Sequence, residues 1–242
     1  EAVYTLSAVF ADMEEAAACV VSIMRSGIVP RALEYMDKNA IECVRSYLGE
    51  AIPEDAGAML IIETDGSPGE AREAAERIFS VLTDQGAGQV ERAGSRHEAD
   101  RLWKARKAVS PALYKYGPDK INEDIVVPRS RLPEMVERIR DLGQSTGLTM
   151  VSFGHAGDGN IHFNIMYDRS RPEQQVAASR AVDEIFDYTL ELGGTISGEH
   201  GVGIAKSSYM GKEITPATLA LMKRIKAAFD PAGILNPGKM GL

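Results

Sequence analysis

Three of the four histidines in this 242-residue chain lie in two glycine-rich segments. The first segment, residues 154–164, reads Gly-His-Ala-Gly-Asp-Gly-Asn-Ile-His-Phe-Asn and contains His155 and His162. The dipeptide Asp158-Gly159, between residues of alternating polarity, is a strong signal for a β-hairpin. A two-residue turn there pairs residues whose numbers sum to 317, so we predict that His155 lies directly opposite His162. Cβ atoms ~4.5–5.5 Å apart allow two imidazoles to bind one metal ion.

The residues after His162 alternate between the two faces of this predicted hairpin. Asn164, two residues further on, is expected on the same face as the histidines. The apolar residues between and beyond them, Ile161, Phe163 and Ile165, are expected to face the core. The pattern therefore predicts polar chemistry on one face of the hairpin and packing on the other.

The second segment, residues 193–203, reads Gly-Gly-Thr-Ile-Ser-Gly-Glu-His-Gly-Val-Gly. Its five glycines allow the backbone to approach a ligand closely. Because neighbouring side chains in extended backbone point to opposite sides, Glu199 can complete a metal site while His200 faces a reacting group. Two histidines and one carboxylate leave coordination positions open, which is typical of a catalytic ion. The remaining histidine, His97, lies in a polar stretch and is interpreted as solvated.

Composition excludes several classes of protein. The 35 acidic and 27 basic side chains give a net charge of −8, and without a run of basic residues this argues against nucleic acid as a partner. The longest apolar stretches, such as residues 56–62, fall well short of the ~20 residues that span a bilayer, and no export signal is visible. Cys19 and Cys43 are the only cysteines, which excludes a disulfide framework and a Cys-x-x-Cys metal site.

Strands and helices are predicted to alternate along the chain. The predicted strands are 3–10, 32–36, 59–63, 89–92, 121–127, 150–153 and 161–166. The predicted helices are about 12–27, 39–48, 67–85, 98–113 with a kink or a restart at Ser110-Pro111, 133–145, 170–192 and 215–229. Asp12, Ser67 and Ser170 are predicted N-caps, each with a glutamate three residues later. Two successive strand–helix–strand blocks indicate the α+β class, with antiparallel sheets and helices packed on one face.

The two glycine-rich segments and the terminal sequence Leu-Asn-Pro-Gly-Lys-Met at residues 235–240 occur in a characteristic order. Together they resemble the C-terminal domain of FAD-linked oxidases. That family contains the glycolate oxidase flavin subunit, D-lactate dehydrogenase and D-2-hydroxyglutarate dehydrogenase. The resemblance extends over essentially the whole chain and includes residues 32–37, 102–106 and 123–128.

This resemblance implies a fold and a division into domains. It implies that residues 1–242 form a ferredoxin-like cap domain with a helical C-terminal segment. Residues 204–242 are then a tail that returns to a separate flavin-binding domain. The chain has no glycine-rich phosphate loop between a strand and a helix. We therefore interpret it as the C-terminal part of a longer flavoenzyme, inactive by itself.

The resemblance also assigns roles within the two glycine-rich segments. It implies that His155, His162 and Glu199 bind a divalent metal, zinc or manganese. It implies that His200 is the catalytic base and that Asn164 is a substrate-binding residue of the same site.

Residues outside those segments are assigned to the substrate and the flavin. Arg106 matches the arginine that holds the substrate carboxylate through two charge-assisted hydrogen bonds. Ser110 matches a substrate-binding position at which relatives closer to the hydroxyglutarate enzyme carry threonine. Those relatives carry lysine at the position of Asn122, and the nearest lysine here is Lys120. Asn236 lies in the tail that returns to the flavin.

The implied function is oxidation of a small 2-hydroxy acid to a 2-oxo acid, with hydride transfer to FAD. FAD is expected to be held mainly by an N-terminal domain of the same polypeptide. Further expected partners are an electron-acceptor protein and, for the open surface, a second copy of the chain. The expected location is the cytoplasm, with association to a membrane-linked electron acceptor allowed.

The residues themselves leave two other classes of function open. One is a free-standing metal-dependent hydrolase, in which an ion at His155, His162 and Glu199 activates water. The other is a ferredoxin-like binding or dimerisation module whose histidines bind metal only structurally. An upstream FAD-binding segment in the parent gene favours the oxidase, and a natural start near residue 1 favours the alternatives. The sequence does not choose among lactate, glycolate, 2-hydroxyglutarate or a longer acid.

Overall fold

The strands form a single sheet, and every pair of neighbouring strands in it is antiparallel. A computed structural model describes residues 2–48 and 52–242. Its strands are β1 (Ala2–Phe10), β2 (Ala32–Asp37), β3 (Ala58–Gly66), β4 (Gln89–Arg92), β5 (Asp119–Val126), β6 (Thr149–His155) and β7 (Asn160–Tyr167). Their order across the sheet is β4-β1-β3-β2-β6-β7-β5.

The helices begin mostly where the sequence predicts. They are α1 (Met13–Arg25), α2 (Lys38–Leu48), α3 (Pro68–Asp84), α4 (Arg96–Ala112), α5 (Leu132–Thr146), α6 (Pro172–Glu191), α7 (Met210–Glu213) and α8 (Pro216–Phe229). Asp12 and Ser67 cap α1 and α3 by accepting a backbone N–H from the third residue that follows. The predicted cap at Ser170 is wrong, because its hydroxyl instead donates to the carboxylate of Asp168. Across the described ranges, no helix has the length and apolar character needed to cross a bilayer.

The first half of the chain has a ferredoxin-like arrangement. β1, α1 and β2 form one strand–helix–strand unit, β3, α3 and β4 form a second, and the four strands lie in the order β4-β1-β3-β2. The second half adds β6, β7 and β5 to the free side of β2. β2 and β6 pair over three residues, from Glu34 with His155 to Met36 with Phe153, and this junction is called the seam below.

Two hydrophobic cores lie on opposite faces of the sheet. Leu60 and Phe163 belong to the core that includes side chains of α1, α3, α5 and α6. Met59 and Val151 belong to the other core, together with side chains of α2 and α4. The α+β class and the antiparallel pairing are confirmed. The predicted packing of the helices on one face only is wrong, because α2 and α4 form a second helical layer on the opposite face of a single sheet. Full burial of a large apolar side chain contributes about 1.5–3 kcal/mol, so both layers contribute substantially to stability.

The β6–β7 hairpin has a longer turn than the sequence predicts. His155 pairs with Asn160, and Phe153 pairs with His162, so the paired numbers sum to 315 instead of 317. The N–H groups of Asp158 and Gly159 both donate to the carbonyl of His155, which closes a helix-like turn of four residues. Gly159 adopts a φ of +83° there. The predicted direct opposition of the histidines is therefore wrong, but both still lie on one face, at diagonal positions.

The C-terminal segment adds little to either core. α8 contributes no buried side chain, and Leu221, Ile225 and Phe229 are 47%, 51% and 84% exposed. The backbone N–H of Met240 donates to the carbonyl of Gly203, which returns the end of the chain to the second glycine-rich segment.

Candidate functional site

The side chains of His155, His162 and Glu199 converge at one end of the sheet. The Nε2 atoms of the two histidines lie 3.5 Å apart. A carboxylate oxygen of Glu199 lies 3.3 Å from Nε2 of His162 and 3.6 Å from Nε2 of His155. The three ligand atoms thus lie within 4.8 Å of one another, which suits one ion between them. The structure brings together all three residues that the sequence proposes as metal ligands.

The chemistry of these donors fits a divalent cation. Burial, together with the charge of Arg106, lowers the pKa of His162 to about 4, so its imidazole is neutral near pH 7. Nδ1 of His155 faces a carboxylate, which leaves Nε2 as the nitrogen that faces the other two donors. Two imidazole nitrogens and a carboxylate oxygen, without a thiolate, suit zinc or manganese.

Glu34 is a member of the site that the sequence analysis missed. It lies in β2 and is buried, with one oxygen 2.5 Å from Nδ1 of His155. Its other oxygen accepts hydrogen bonds from Arg106. The hydrogen bond to Glu34 raises the pKa of His155 above its ordinary value, against the effect of burial. A charged residue in the middle of the otherwise apolar segment 32–36 is the signal that could have identified it.

Arg106 lies on the buried side of α4, above the same sheet face. Its Nε and Nη2 lie 2.9 and 2.8 Å from Oε2 of Glu34, and its guanidinium covers the ring of Phe153 at 4.7 Å. Nη1 has no hydrogen-bond partner within the part of the chain that is described. The predicted substrate arginine is therefore held firmly beside the histidines, with one nitrogen available.

Asp124, in β5, organises the loop that carries Glu199 and His200. The backbone N–H groups of both residues donate to the same Asp124 oxygen, at 2.5 and 2.8 Å. The loop packs closely on the hairpin, since a Cβ at Gly198 would lie 2.0 Å from the Asn160 side-chain nitrogen. Two successive N–H groups directed at one acceptor make a bent backbone, which differs from the extended backbone that the sequence analysis assumed.

Lys206 neutralises Asp124 in the interior. Its amine lies 2.6 Å from Oδ1 of Asp124 and also donates to the carbonyl oxygens of Asp124 and Ile196. Burial favours the neutral acid, but hydrogen bonds from Lys206 and the loop hold the pKa of Asp124 below its ordinary value. Neither residue has a predicted role, although an acidic pair next to the apolar end of β5 is a recognisable signal.

His200, the predicted base, lies at the exposed edge of the cluster. Its ring stacks on that of His162, with centroids 5.3 Å apart and planes inclined at 21°. Its Nδ1 lies 3.6 Å from Oδ1 of Asp124. Glu199 and His200 thus both contact His162, on its edge and on its face, instead of pointing to opposite sides of the backbone.

The predicted substrate-binding residues continue along the same sheet face. Asn164 is completely buried, and in the described residues its side-chain oxygen has no hydrogen-bond partner. It pairs across the strands with Asn122. The Lys120 amine, whose pKa is lowered by burial, donates to the Ser110 hydroxyl at 2.9 Å. Asn236 differs from the others, because it lies in the exposed tail with a φ of +48°.

Comparison with known proteins gives a consistent family. Residues 1–240 match the family described as FAD linked oxidases, C-terminal domain. The chain is 37% identical over 236 residues to the glycolate oxidase subunit GlcD of Bacillus subtilis, covering 98% of this chain and 50% of that protein. It is 34% identical over 231 residues to a D-lactate dehydrogenase of Archaeoglobus fulgidus, covering 96% of this chain and 50% of that protein. The chain thus spans about half the length of these relatives.

A solved structure shares the fold. The crystal structure of p-cresol methylhydroxylase with substrate bound superposes with a TM-score of 0.71 at 16% identity. The match covers 100% of this chain and 53% of that protein.

Proposed function

This chain belongs to the family of FAD-linked oxidase C-terminal domains, and we propose that it is the substrate- and metal-binding cap of a flavin-dependent D-2-hydroxy acid dehydrogenase. The observation that carries the proposal is the convergence of His155, His162 and Glu199 beside Arg106 and His200. Its relatives include proteins named for glycolate and D-lactate, which are both 2-hydroxy acids. Membership of the family favours this function over the hydrolase and the binding module.

The metal site would be formed by side chains of this chain alone. His155, His162 and Glu199 would hold a zinc or manganese ion, which when bound acidifies the hydroxyl of a 2-hydroxy acid. The neutral state of His162 and the orientation of His155 keep both Nε2 atoms available as ligands.

Arg106 and His200 perform the binding and the proton transfer. Arg106 binds the substrate carboxylate with the part of its guanidinium that Glu34 leaves open. His200 removes the hydroxyl proton, which its ring receives on the nitrogen turned away from Asp124. When bound, FAD would supply the redox chemistry, which is acceptance of the hydride from C2 of the substrate. The product is then a 2-oxo acid.

Asn164, Ser110 and Lys120 extend the substrate site towards the remainder of the acid. The unpartnered oxygen of Asn164 offers a buried hydrogen-bond acceptor on the face of the histidines. The Lys120 amine beside Ser110 offers a positive charge in partly buried surroundings. These groups suit a polar substituent on the substrate.

The tail would face the flavin-binding part of the polypeptide. The apolar side chains of α8 are exposed, and the chain spans about half the length of its relatives. An N-terminal FAD domain that covers this surface would bury them, and Asn236 would then lie near the flavin.

A substrate screen on the full-length protein tests the proposal. Dye-coupled oxidation of glycolate, D-lactate and D-2-hydroxyglutarate is expected to show turnover with at least one acid. Chelation should abolish that turnover, and zinc or manganese should restore it. A flavin-loaded protein that oxidises none of the acids, or that is indifferent to chelation, would contradict the proposal.

A further inference from the structure

We infer that Glu34 is a positioning residue that aims both His155 and Arg106, so that one buried carboxylate aligns the metal site with the substrate-carboxylate site. The inference rests on the proposed function, because it concerns how that site is held in place. Glu34 is neither a proposed ligand nor a proposed substrate contact. It acts through the two residues that it touches.

The position of Glu34 is fixed by the sheet. Glu34 and His155 are directly paired residues of β2 and β6, so their side chains emerge side by side on one face of the seam. α4 brings Arg106 over the same face. Glu34 is only 6% exposed, and its two oxygens face different partners.

The first consequence concerns His155. A carboxylate 2.5 Å from Nδ1 favours the tautomer in which Nδ1 carries the proton. Nε2 then presents its lone pair towards His162 and Glu199. Carboxylate–histidine pairs of this kind fix the ring orientation of metal-binding histidines and increase their basicity.

The second consequence concerns Arg106. Oε2 of Glu34 accepts hydrogen bonds from Nε and Nη2, which occupies one edge of the guanidinium. The substrate carboxylate must therefore approach through the edge that contains Nη1. Oε1 of the same carboxylate holds His155. The distance between the two oxygens of Glu34 therefore sets the spacing between the open edge of Arg106 and the metal ligands.

Glutamine cannot replace Glu34 in this double role. Arg106 and Nδ1–H of His155 are both donors, whereas a side-chain amide has one accepting oxygen and one donating nitrogen. In Glu34→Gln, one of the two partners therefore faces an N–H group: Arg106 would have to move, whereas His155 would change to the Nε2–H tautomer. The histidine or the arginine then loses its alignment, although the side chain at position 34 keeps the same volume.

Glu63 provides a matched control. It is a largely buried carboxylate on the neighbouring strand β3, and it also links the sheet to α4, through a 2.6 Å hydrogen bond from the Trp103 indole. It also accepts a hydrogen bond from Thr5. Glu63→Gln thus removes a comparable charge without touching His155 or Arg106.

The experiment uses the full-length protein with three readouts. Long-range ¹⁵N–¹H NMR of the metal-free protein at alkaline pH reports the His155 tautomer, zinc titration reports metal affinity, and kinetics report KM for the 2-hydroxy acid. In wild type and Glu63→Gln we expect the Nδ1–H tautomer and equal zinc affinity. In Glu34→Gln we expect a substantial Nε2–H population, a ~10- to 100-fold weaker zinc affinity and a raised KM.

A double variant separates positioning from general damage. In Glu34→Gln with Arg106→Leu, the amide oxygen is free to accept from His155, so the tautomer and zinc affinity should recover while KM stays high. A wild-type His155 in the Nε2–H form, or equal effects of Glu34→Gln and Glu63→Gln, would overturn the inference. A wild-type protein that binds no zinc or manganese would instead overturn the proposed metal site, and the tautomer measurement would still decide the role of Glu34.

Discussion

The Nε2 atoms of His155 and His162 lie 3.5 Å apart, with the two ring planes inclined at 80°. The residues occupy diagonal positions on their hairpin, because His155 pairs with Asn160 and His162 with Phe153. Both rings are carried by hydrogen-bonded strands, whereas Glu199 comes from a loop. Groups on strands are held more firmly than groups on loops. The histidine pair therefore sets the position of the proposed ion, and Glu199 adapts to it.

Replacing a proposed ligand should remove the metal. His162→Ala in the full-length protein is expected to lower metal affinity by more than the ~10–100-fold typical of residues that only support a ligand. His97→Ala is the matched control, because His97 is an exposed histidine of α4 outside the cluster. Elemental analysis after dialysis measures the result, and equal metal content in both variants would exclude this site.

His200 should affect turnover without affecting metal content. His200→Asn removes the proposed base but leaves His155, His162 and Glu199 in place, so we expect turnover to fall by ~10²–10⁴-fold. Steady-state kinetics with a saturating 2-hydroxy acid, together with metal analysis, provide the test. Loss of metal in this variant would make His200 a ligand, in conflict with its proposed role.

Arg106 should act mainly on substrate binding. Arg106→Lys keeps the charge but loses the planar guanidinium, so KM is expected to rise roughly 10- to 100-fold, equivalent to one charge-assisted hydrogen bond of ~1.5–3 kcal/mol. Arg92→Lys is the control, because Arg92 also pairs with a glutamate and stacks on a phenylalanine, outside the site. An unchanged KM in Arg106→Lys would remove this arginine from the substrate site.

The stability of the metal-free protein should depend on pH through His162. Its pKa is lowered to about 4 by burial, whereas an unfolded histidine titrates near 6.5. Between these pH values the unfolded state binds more protons than the folded state. The contribution of His162 to the free energy of unfolding is therefore fully present above about pH 6.5 and falls by up to ~3 kcal/mol as pH decreases towards 4. Asp37, whose pKa burial raises to about 6, contributes the opposite slope.

His162→Gln removes this contribution, while Asp37 and His155, whose pKa the Glu34 hydrogen bond raises, are present in both proteins. Urea unfolding in the presence of a chelator, at about pH 7.5 and about pH 4.5, should show a smaller acid destabilisation in the variant than in wild type. Identical pH dependence in the two proteins would mean that His162 titrates normally.

The buried ion pair of Lys206 should matter much more than an exposed pair. Lys206→Met leaves the Asp124 charge buried without its main partner, and we expect a loss of ~3–5 kcal/mol in the free energy of unfolding. Lys212→Met removes an exposed pair with Asp187 and should cost under ~1 kcal/mol. Denaturant unfolding measures the loss of stability in each variant. Similar losses in the two variants would show that the buried charge of Asp124 does not need Lys206 as its partner.

Local patterns predicted much of the fold. The caps at Asp12 and Ser67 are formed within three residues, and the structure contains both. The turn at Asp158-Gly159 was predicted in the right place with the wrong length, because two N–H groups close on the carbonyl of His155. That choice depends on the loop's surroundings, including the close approach of Gly159 to the carbonyl of Val127.

The residues that support the site could not be predicted from the sequence, for a different reason. Glu34 meets His155 across 121 residues of sequence, and Asp124 meets Glu199 across 75. No local spacing links such partners, and only the strand order brings them together. The ligands themselves could be found because they lie in glycine-rich segments of unusual composition.

The seam between β2 and β6 has a consequence for the order of folding. Its three paired residues close a loop of more than 100 residues, whereas the β6–β7 hairpin closes a turn of four. Closing a long loop costs more chain entropy, and non-local pairings form slowly. The ferredoxin-like half and the hairpin half should therefore each acquire structure before they join. Since Glu34 comes from one half and His155 from the other, their contact marks the completion of folding, and a refolding experiment in which it formed before either half would contradict this order.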